Sequence, residues 1–217
     1  MVRKVEKKTI KKAIKKVVKK VIAPKSTRLE DVKRLIDGAN KTAMYDWLVG
    51  LDSPGPTPRD AGYYRLLYLL AKEFKMKYMA DLGTCEGVSA MCMAKGNPEG
   101  FVYSLDIVNK LDSRCAQSNV AYIYEDAVLL SSDSDYDFLD LLFIDVEHEP
   151  ASMEKAFKAW EKYLLKDSVI LFDGVSWNKR PQMWEWWASF TPEGYHKLYS
   201  LELHSLEDAG MGILIKK

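Results

Sequence analysis

A chain of 217 residues with 47% apolar and 12% aromatic content has room for one globular core plus an extension, and no apolar run in it approaches the roughly 20 residues of a membrane span. Its three cysteines, Cys85, Cys92 and Cys115, have neither metal-ligand spacing nor the even count of a disulfide framework, so free thiols and an intracellular, cytoplasmic location are expected. The net charge of +1 hides an asymmetry: residues 1–28 hold 12 Lys/Arg against one acid, Glu6, while the remainder holds 20 basic and 30 acidic residues, which excludes a basic body built to seek nucleic acid.

From Lys7 to Ile22 the chain repeats Lys-Lys-x-apolar four times, so Ile10, Ile14, Val18 and Ile22 would form an apolar stripe on a helix. Every lysine has another four residues away, a repulsive pairing, and the segment is expected to order only against an anionic surface: lipid, nucleic acid or another copy of the chain. A basic tail is therefore assigned to 1–25. Pro24 breaks the pattern, Ser26 or Thr27 caps a helix over 29–51, and the prolines of 51–58 make a stiff linker, so 26–58 reads as a helical cap and linker. The main domain, 59–217, opens with a helix over 59–74.

Its organising stretch is Lys77 to Ala94. An apolar run ending in Asp81, a turn containing Gly83 and Gly87, and apolar residues from Val88 onward read as strand, tight turn and helix N-terminus. Such a turn exposes backbone N–H groups to a ligand, which makes it a nucleotide-type pocket. Cys85 stands where a pyrophosphate-binding turn needs glycine, so a dinucleotide is disfavoured. Strands follow over 101–106, 120–124, 138–145 and 168–173, with a short helix over 112–117 and longer ones over 151–165 and 180–190, then terminal strands over 195–203 and 210–215. Asp106 lies 19 residues beyond Gly87, close to the roughly 20 expected of an acid that holds ribose hydroxyls. This alternation predicts an α/β, Rossmann-like doubly wound sheet, mostly parallel with one antiparallel strand near the C-terminus. Asp81, Asp106, Asp126, Asp145 and Asp173 then all fall at strand tips, an arrangement expected to need a ligand, a metal or a partner to satisfy it.

The order acid, apolar, Gly, then Gly four residues on, in the wording Asp-Leu-Gly-Thr-Cys-Glu-Gly-Val-Ser, resembles the first motif of class I S-adenosylmethionine-dependent methyltransferases, and within them the small-molecule O-methyltransferases of the catechol type and their bacterial sugar- and antibiotic-modifying relatives. The resemblance covers about 57–217. It implies that Asp81, Gly83, Thr84, Gly87 and Ser89 serve the methionine end of S-adenosylmethionine, Asp106 the ribose, and Asp126 with Ala127 the adenine amino group.

Methyl transfer to a hydroxyl needs the acceptor deprotonated, by a divalent cation or by a general base. Asp145 and Asp173 match the two metal-binding aspartates of the catechol-type enzymes and would suit Mg²⁺ or another divalent ion; Gly174 departs from the asparagine expected next, with Glu147, His148 or Asn178 as substitutes. His148 lies three residues beyond Asp145, at the offset of the family's catalytic lysine, and would act as base or metal ligand. Trp177 would wall the acceptor pocket, whereas Trp184, Trp186 and Trp187 read as packing. The expected activity is O-methylation of a small-molecule or glycan hydroxyl, with a homo-oligomer left open as a partner state. The alternatives are an RNA methyltransferase recruited by the tail and a non-catalytic module that only binds S-adenosylmethionine.

Overall fold

A computed structural model describes residues 28–41, 45–48, 62–133, 136–176, 179–200 and 210–217. The basic tail, the proline linker, Trp177, Asn178 and His204 lie outside these residues.

Seven strands form one sheet: β1 (Tyr78–Leu82), β2 (Phe101–Leu105), β3 (Val120–Ile123), β4 (Leu139–Ile144), β5 (Leu164–Val175), β6 (Tyr195–Ser200) and β7 (Gly210–Lys216). Their spatial order is β3-β2-β1-β4-β5-β7-β6. The first five run parallel, and β7 enters antiparallel between β5 and β6. This is the expected doubly wound sheet with its single reversed strand.

Buried parallel strands carry apolar residues on both faces, and here the alternation assigns each face its own helices. On β4, Leu141 and Phe143 face a core built with α1 (Arg28–Lys41), α2 (Gly62–Phe74) and α3 (Val88–Gly96). Leu142 and Ile144 face the opposite core, built with α4 (Ala127–Asp133), α5 (Pro150–Trp160) and α6 (Pro181–Ser189). The second core is aromatic. Phe172 is fully buried, with its ring 5.7 Å from Phe157, 5.7 Å from Trp186 and 5.6 Å from Trp187. Trp186 and Trp187 are thus packing residues, as their helical setting suggests. No helix among the described residues is long and apolar enough to cross a membrane.

Several boundaries differ from the sequence reading. The helix expected over 29–51 ends at Lys41, with Gly38 weakening its last turn, and a short 3-10 turn follows at Asp46–Leu48. The helix expected over 151–165 ends at Trp160, and the chain joins β5 at Leu164 rather than 168. Lys166 and Asp167, which fall between that expected helix and the strand expected over 168–173, instead lie inside β5, where Asp167 adopts φ 65° and the pairing with β4 shifts register. The helix α4, which the sequence reading does not include, starts at Asp126: its Oδ1 accepts from the backbone N–H of Val128 at 2.7 Å and of Leu129 at 3.1 Å.

Truncating Phe172 to alanine removes a ring that four aromatic neighbours close around, and is expected to cost about 3–5 kcal/mol, read as a lower urea midpoint with an unchanged slope.

Candidate active site

The turn after β1 sits against the tip of the next strand. A Cβ on Gly83, which has φ +90°, would lie 2.0 Å from the carbonyl oxygen of Asp145, so no side chain fits there. The two tips are also tied by the Asp145 N–H, which donates to the Leu82 carbonyl at 2.8 Å. Cys85 adopts φ 48°, an uncommon conformation for a residue with a side chain, and Gly87 at φ 87° caps α3.

Beneath this turn lies a buried polar bracket. Asp81 is fully buried; its Oδ2 accepts from the hydroxyls of Thr84 at 2.6 Å and Ser89 at 2.7 Å. Ser104 in turn donates to Thr84 Oγ1 at 2.6 Å. Among the described residues nothing hydrogen-bonds to Asp81 Oδ1. Burial raises the Asp81 carboxyl to about 7, opposed by the two hydroxyls and helped by the charges of Asp145 and Asp106.

A cavity of about 510 Å³ opens beyond the carboxyl ends of β1 to β4, bordered by Gly83, Cys85, Asp106, Asp126, Ala127 and Asp145. Of the expected cofactor residues, Gly83, Asp106, Asp126 and Ala127 border it. Asp81, Thr84, Gly87 and Ser89 do not; they shape the turn from behind. The expectation that all five strand-tip acids await a ligand is corrected at three of them. Asp81 is held by hydroxyls, Asp106 accepts the N–H groups of Cys85 at 2.7 Å and Val108 at 2.9 Å, and Asp126 caps α4. Each has an acceptor site left, but none is unsatisfied as a whole. The Ala127 carbonyl is likewise engaged, by the Trp160 indole N–H at 2.9 Å.

The fourth and fifth acids converge. His148 Nε2 lies 3.3 Å from Asp145 Oδ1 and 3.1 Å from Asp173 Oδ2. The ligand atoms of the three residues fall within 4.8 Å of one another. Asp145 follows β4, Asp173 lies near the end of β5, and His148 sits two residues ahead of α5, so neighbouring strands fix the triad. Gly174 beside it has φ +69°, and a Cβ there would lie 1.9 Å from His148 Cδ2. Glu147 borders the cavity but stands outside the triad, and His196 lies on the exposed side of β6.

Burial and the Asp173 charge raise Asp145 to about 6, against the pull of His148 and Arg180. For His148 burial works downward, but hydrogen bonds and charges from both carboxylates outweigh it and raise the imidazole to about 9. Three neighbours went unmarked in the sequence. Ile107 is an exposed apolar wall of the cavity, 67% accessible. The Arg180 guanidinium reaches the Gly174 backbone, with Nη1 2.9 Å from where a Cβ would stand. The buried Tyr63 hydroxyl, raised well above its ordinary value by burial and then by Tyr64, also feels the charges of Asp173 and Asp145. Ile107 had a signal, its place directly after the ribose-type acid. Arg180 and Tyr63 had none, being remote in the chain.

A family model described as a methyltransferase domain matches residues 80–175. These residues are a methyltransferase domain. The fold agrees: the chain is similar to the O-methyltransferase from Bacillus cereus solved with SAH, at 21% identity over 94% of this chain and 97% of that one, TM-score 0.55. It is also similar to the O-methyltransferase TomG from Streptomyces achromogenes, solved with SAM and involved in tomaymycin synthesis, at 14% identity over 94% and 96%, TM-score 0.57. The N-methyltransferase NodS from Bradyrhizobium japonicum shares the fold too, at 12% identity over 88% and 99%, TM-score 0.54. No curated protein matches the sequence. The chain thus carries a methyltransferase domain on the class I fold. The acceptor atom does not follow from that fold, since NodS carries it as well.

The bracket under the methyltransferase's cofactor turn has a pH signature. A carboxyl raised from 3.8 to about 7 binds its proton more tightly in the folded chain than in the unfolded one. Its contribution to stability is complete below pH 3.8 and is lost as the pH climbs through 7. Asp81→Asn keeps an acceptor for Thr84 and Ser89 and removes the titration. Thermal unfolding is expected to match wild type near pH 4 and to favour the variant above pH 7, by an amount on the order of a few kcal/mol.

Proposed function

We propose that this methyltransferase transfers the methyl group of S-adenosylmethionine to a hydroxyl of a small molecule or glycan. The observation that carries the reading is the Asp145–His148–Asp173 triad, which meets the strand-tip cavity through Asp145. An amine acceptor is nucleophilic once neutral, whereas a hydroxyl must be made so, and the triad is the device for that.

In this reading the stretch at Gly83 and Cys85 that borders the cavity packs against the methionine end, while the N–H groups of Gly83, Thr84, Cys85 and Gly87 donate to Leu105, Asp106 and Thr84 rather than to the ligand. Asp106, already braced by two backbone amides, offers its remaining lone pairs to the ribose hydroxyls. Asp126 takes the adenine amino group beside the apolar Ile107 and Val128. The acceptor oxygen, its proton released to solvent, attacks the methyl carbon in line with the sulfur; the C–O bond forms as the C–S bond breaks, and the electron pair stays on sulfur, leaving S-adenosylhomocysteine. Two carboxylates and an imidazole converging within 4.8 Å fit a divalent cation, which when bound supplies the positive charge that lowers the acceptor's pKa. Asp145, His148 and Asp173 would hold it, and Arg180 moderates the charge of Asp145.

Calorimetry with S-adenosylmethionine and a methyl-transfer assay over a panel of hydroxyl and amine acceptors test this. Asp106→Ala should weaken cofactor binding by about 10–100-fold, at one to three kcal/mol for hydrogen bonds to a charged group. His148→Ala should leave cofactor binding near wild type and lower turnover by about 100-fold or more. Absence of cofactor binding, or transfer to amines indifferent to His148, would overturn the reading.

For residues 1–25 we propose contact with an anionic surface, on the strength of their charge. Removing them should abolish salt-sensitive binding to anionic vesicles or RNA, or dissociate an oligomer in solution; no change in any of the three would reject it.

A further inference from the structure

We infer that the Asp145–His148–Asp173 centre takes a first-row transition-metal ion in preference to Mg²⁺, through the imidazole nitrogen of His148, and that Gly174 is the residue that permits it. The inference rests on the function proposed above for its setting beside the acceptor, and it specifies the ion.

The carrying observation is steric. Gly174 adopts φ +69°, and a Cβ on it would lie 1.9 Å from His148 Cδ2 and 2.6 Å from His148 Nε2. A side chain at 174 and the imidazole therefore compete for one place. The chain fills that place with nitrogen. Position 174 could otherwise have carried an oxygen donor on the same strand as Asp173, and glycine there supplies none.

The nitrogen is also held. His148 sits between β4 and the start of α5, its Nε2 3.3 Å from one carboxylate and 3.1 Å from the other. Asp173 is only 6% exposed, so its carboxylate cannot swing away to solvent. The donor set is two carboxylate oxygens and one imidazole. Mg²⁺ favours oxygen ligands and sheds water reluctantly, whereas imidazole adds affinity that rises along the series Mn²⁺, Fe²⁺, Co²⁺, Ni²⁺. A nitrogen donor in a three-residue centre shifts the balance toward those ions.

The test reads metal binding directly on the full chain. Co²⁺ is titrated by visible absorption and calorimetry, Mg²⁺ by calorimetry, and bound Mn²⁺ is examined by electron spin-echo spectroscopy. One Co²⁺ should bind about 100-fold or more tightly than Mg²⁺, and the Mn²⁺ echo should carry nitrogen modulation. His148→Ala should erase the modulation. The double variant H148A/G174N, which returns an oxygen donor to the vacated space, should bind Mg²⁺ with the Co²⁺ preference reduced about tenfold or more. Should His148→Ala fail to fold, Gly174→Ala, whose methyl displaces the imidazole, should lose the same modulation. An echo without nitrogen, or a Co²⁺ preference untouched by these variants, overturns the inference. Methyl transfer assayed on the same preparations separates the two readings: turnover with Mg²⁺ and no nitrogen signal defeats only the metal assignment. A nitrogen-bound ion without transfer to any hydroxyl defeats only the proposed reaction.

Discussion

Everything at the working edge of this methyltransferase depends on how closely β1 and β4 meet. The Asp145 carbonyl approaches the α-carbon of residue 83 so tightly that a Cβ would stand 2.0 Å from it. That seam joins two functions. On one side the turn from Gly83 to Gly87 shapes the strand-tip cavity; on the other Asp145 begins the segment that carries His148. A displacement of either tip would move the cavity wall and the triad relative to each other, and the in-line transfer we propose tolerates little of that.

The aspartates around this seam show how environment divides one residue type into separate roles. Asp81 is sealed under the turn among hydroxyls, and its cost of burial is expressed as a proton held up to about pH 7. Asp106 and Asp126 spend one or both oxygens on backbone amides, bracing the glycine turn and starting α4. Only Asp145 and Asp173 direct their charge at a common point, where His148 answers both. Scaffold work and ligand work are therefore not alternatives here. Asp106 and Asp126 do the first while bordering the cavity in which the second would occur.

The architecture was legible because its signals are local. The apolar runs of β1 and β4, the glycines at 83 and 87 and the reversed final strand each state themselves within a few residues. The sequence reading went astray where two weak preferences competed. The passage from α5 to β5 was misplaced because sheet pairing extends the strand back to Leu164 through a bulge at Asp167, a residue that its own preferences leave outside the strand. The helix α4 was missed although Asp126 followed by Val128, Leu129 and Leu130 is a capping pattern. The candidate site was legible as a set of residues, not as a division of labour. Which acids border the cavity depends on hydrogen bonds closed between segments far apart in the chain.

By itself the sequence determined the α/β class, the strand that bears the glycine turn, and the presence of Asp145, His148 and Asp173 at strand ends, because hydrophobic periodicity and turn chemistry act over short spans. Only the tertiary structure decided that Asp81, Thr84 and Ser89 work from behind the turn, that Arg180 and Tyr63 interact electrostatically with the aspartates of the triad, and that a side chain at 174 would meet the imidazole of His148. Those facts follow from packing between neighbouring strands and helices, where the imidazole of His148 fills the space of an absent side chain.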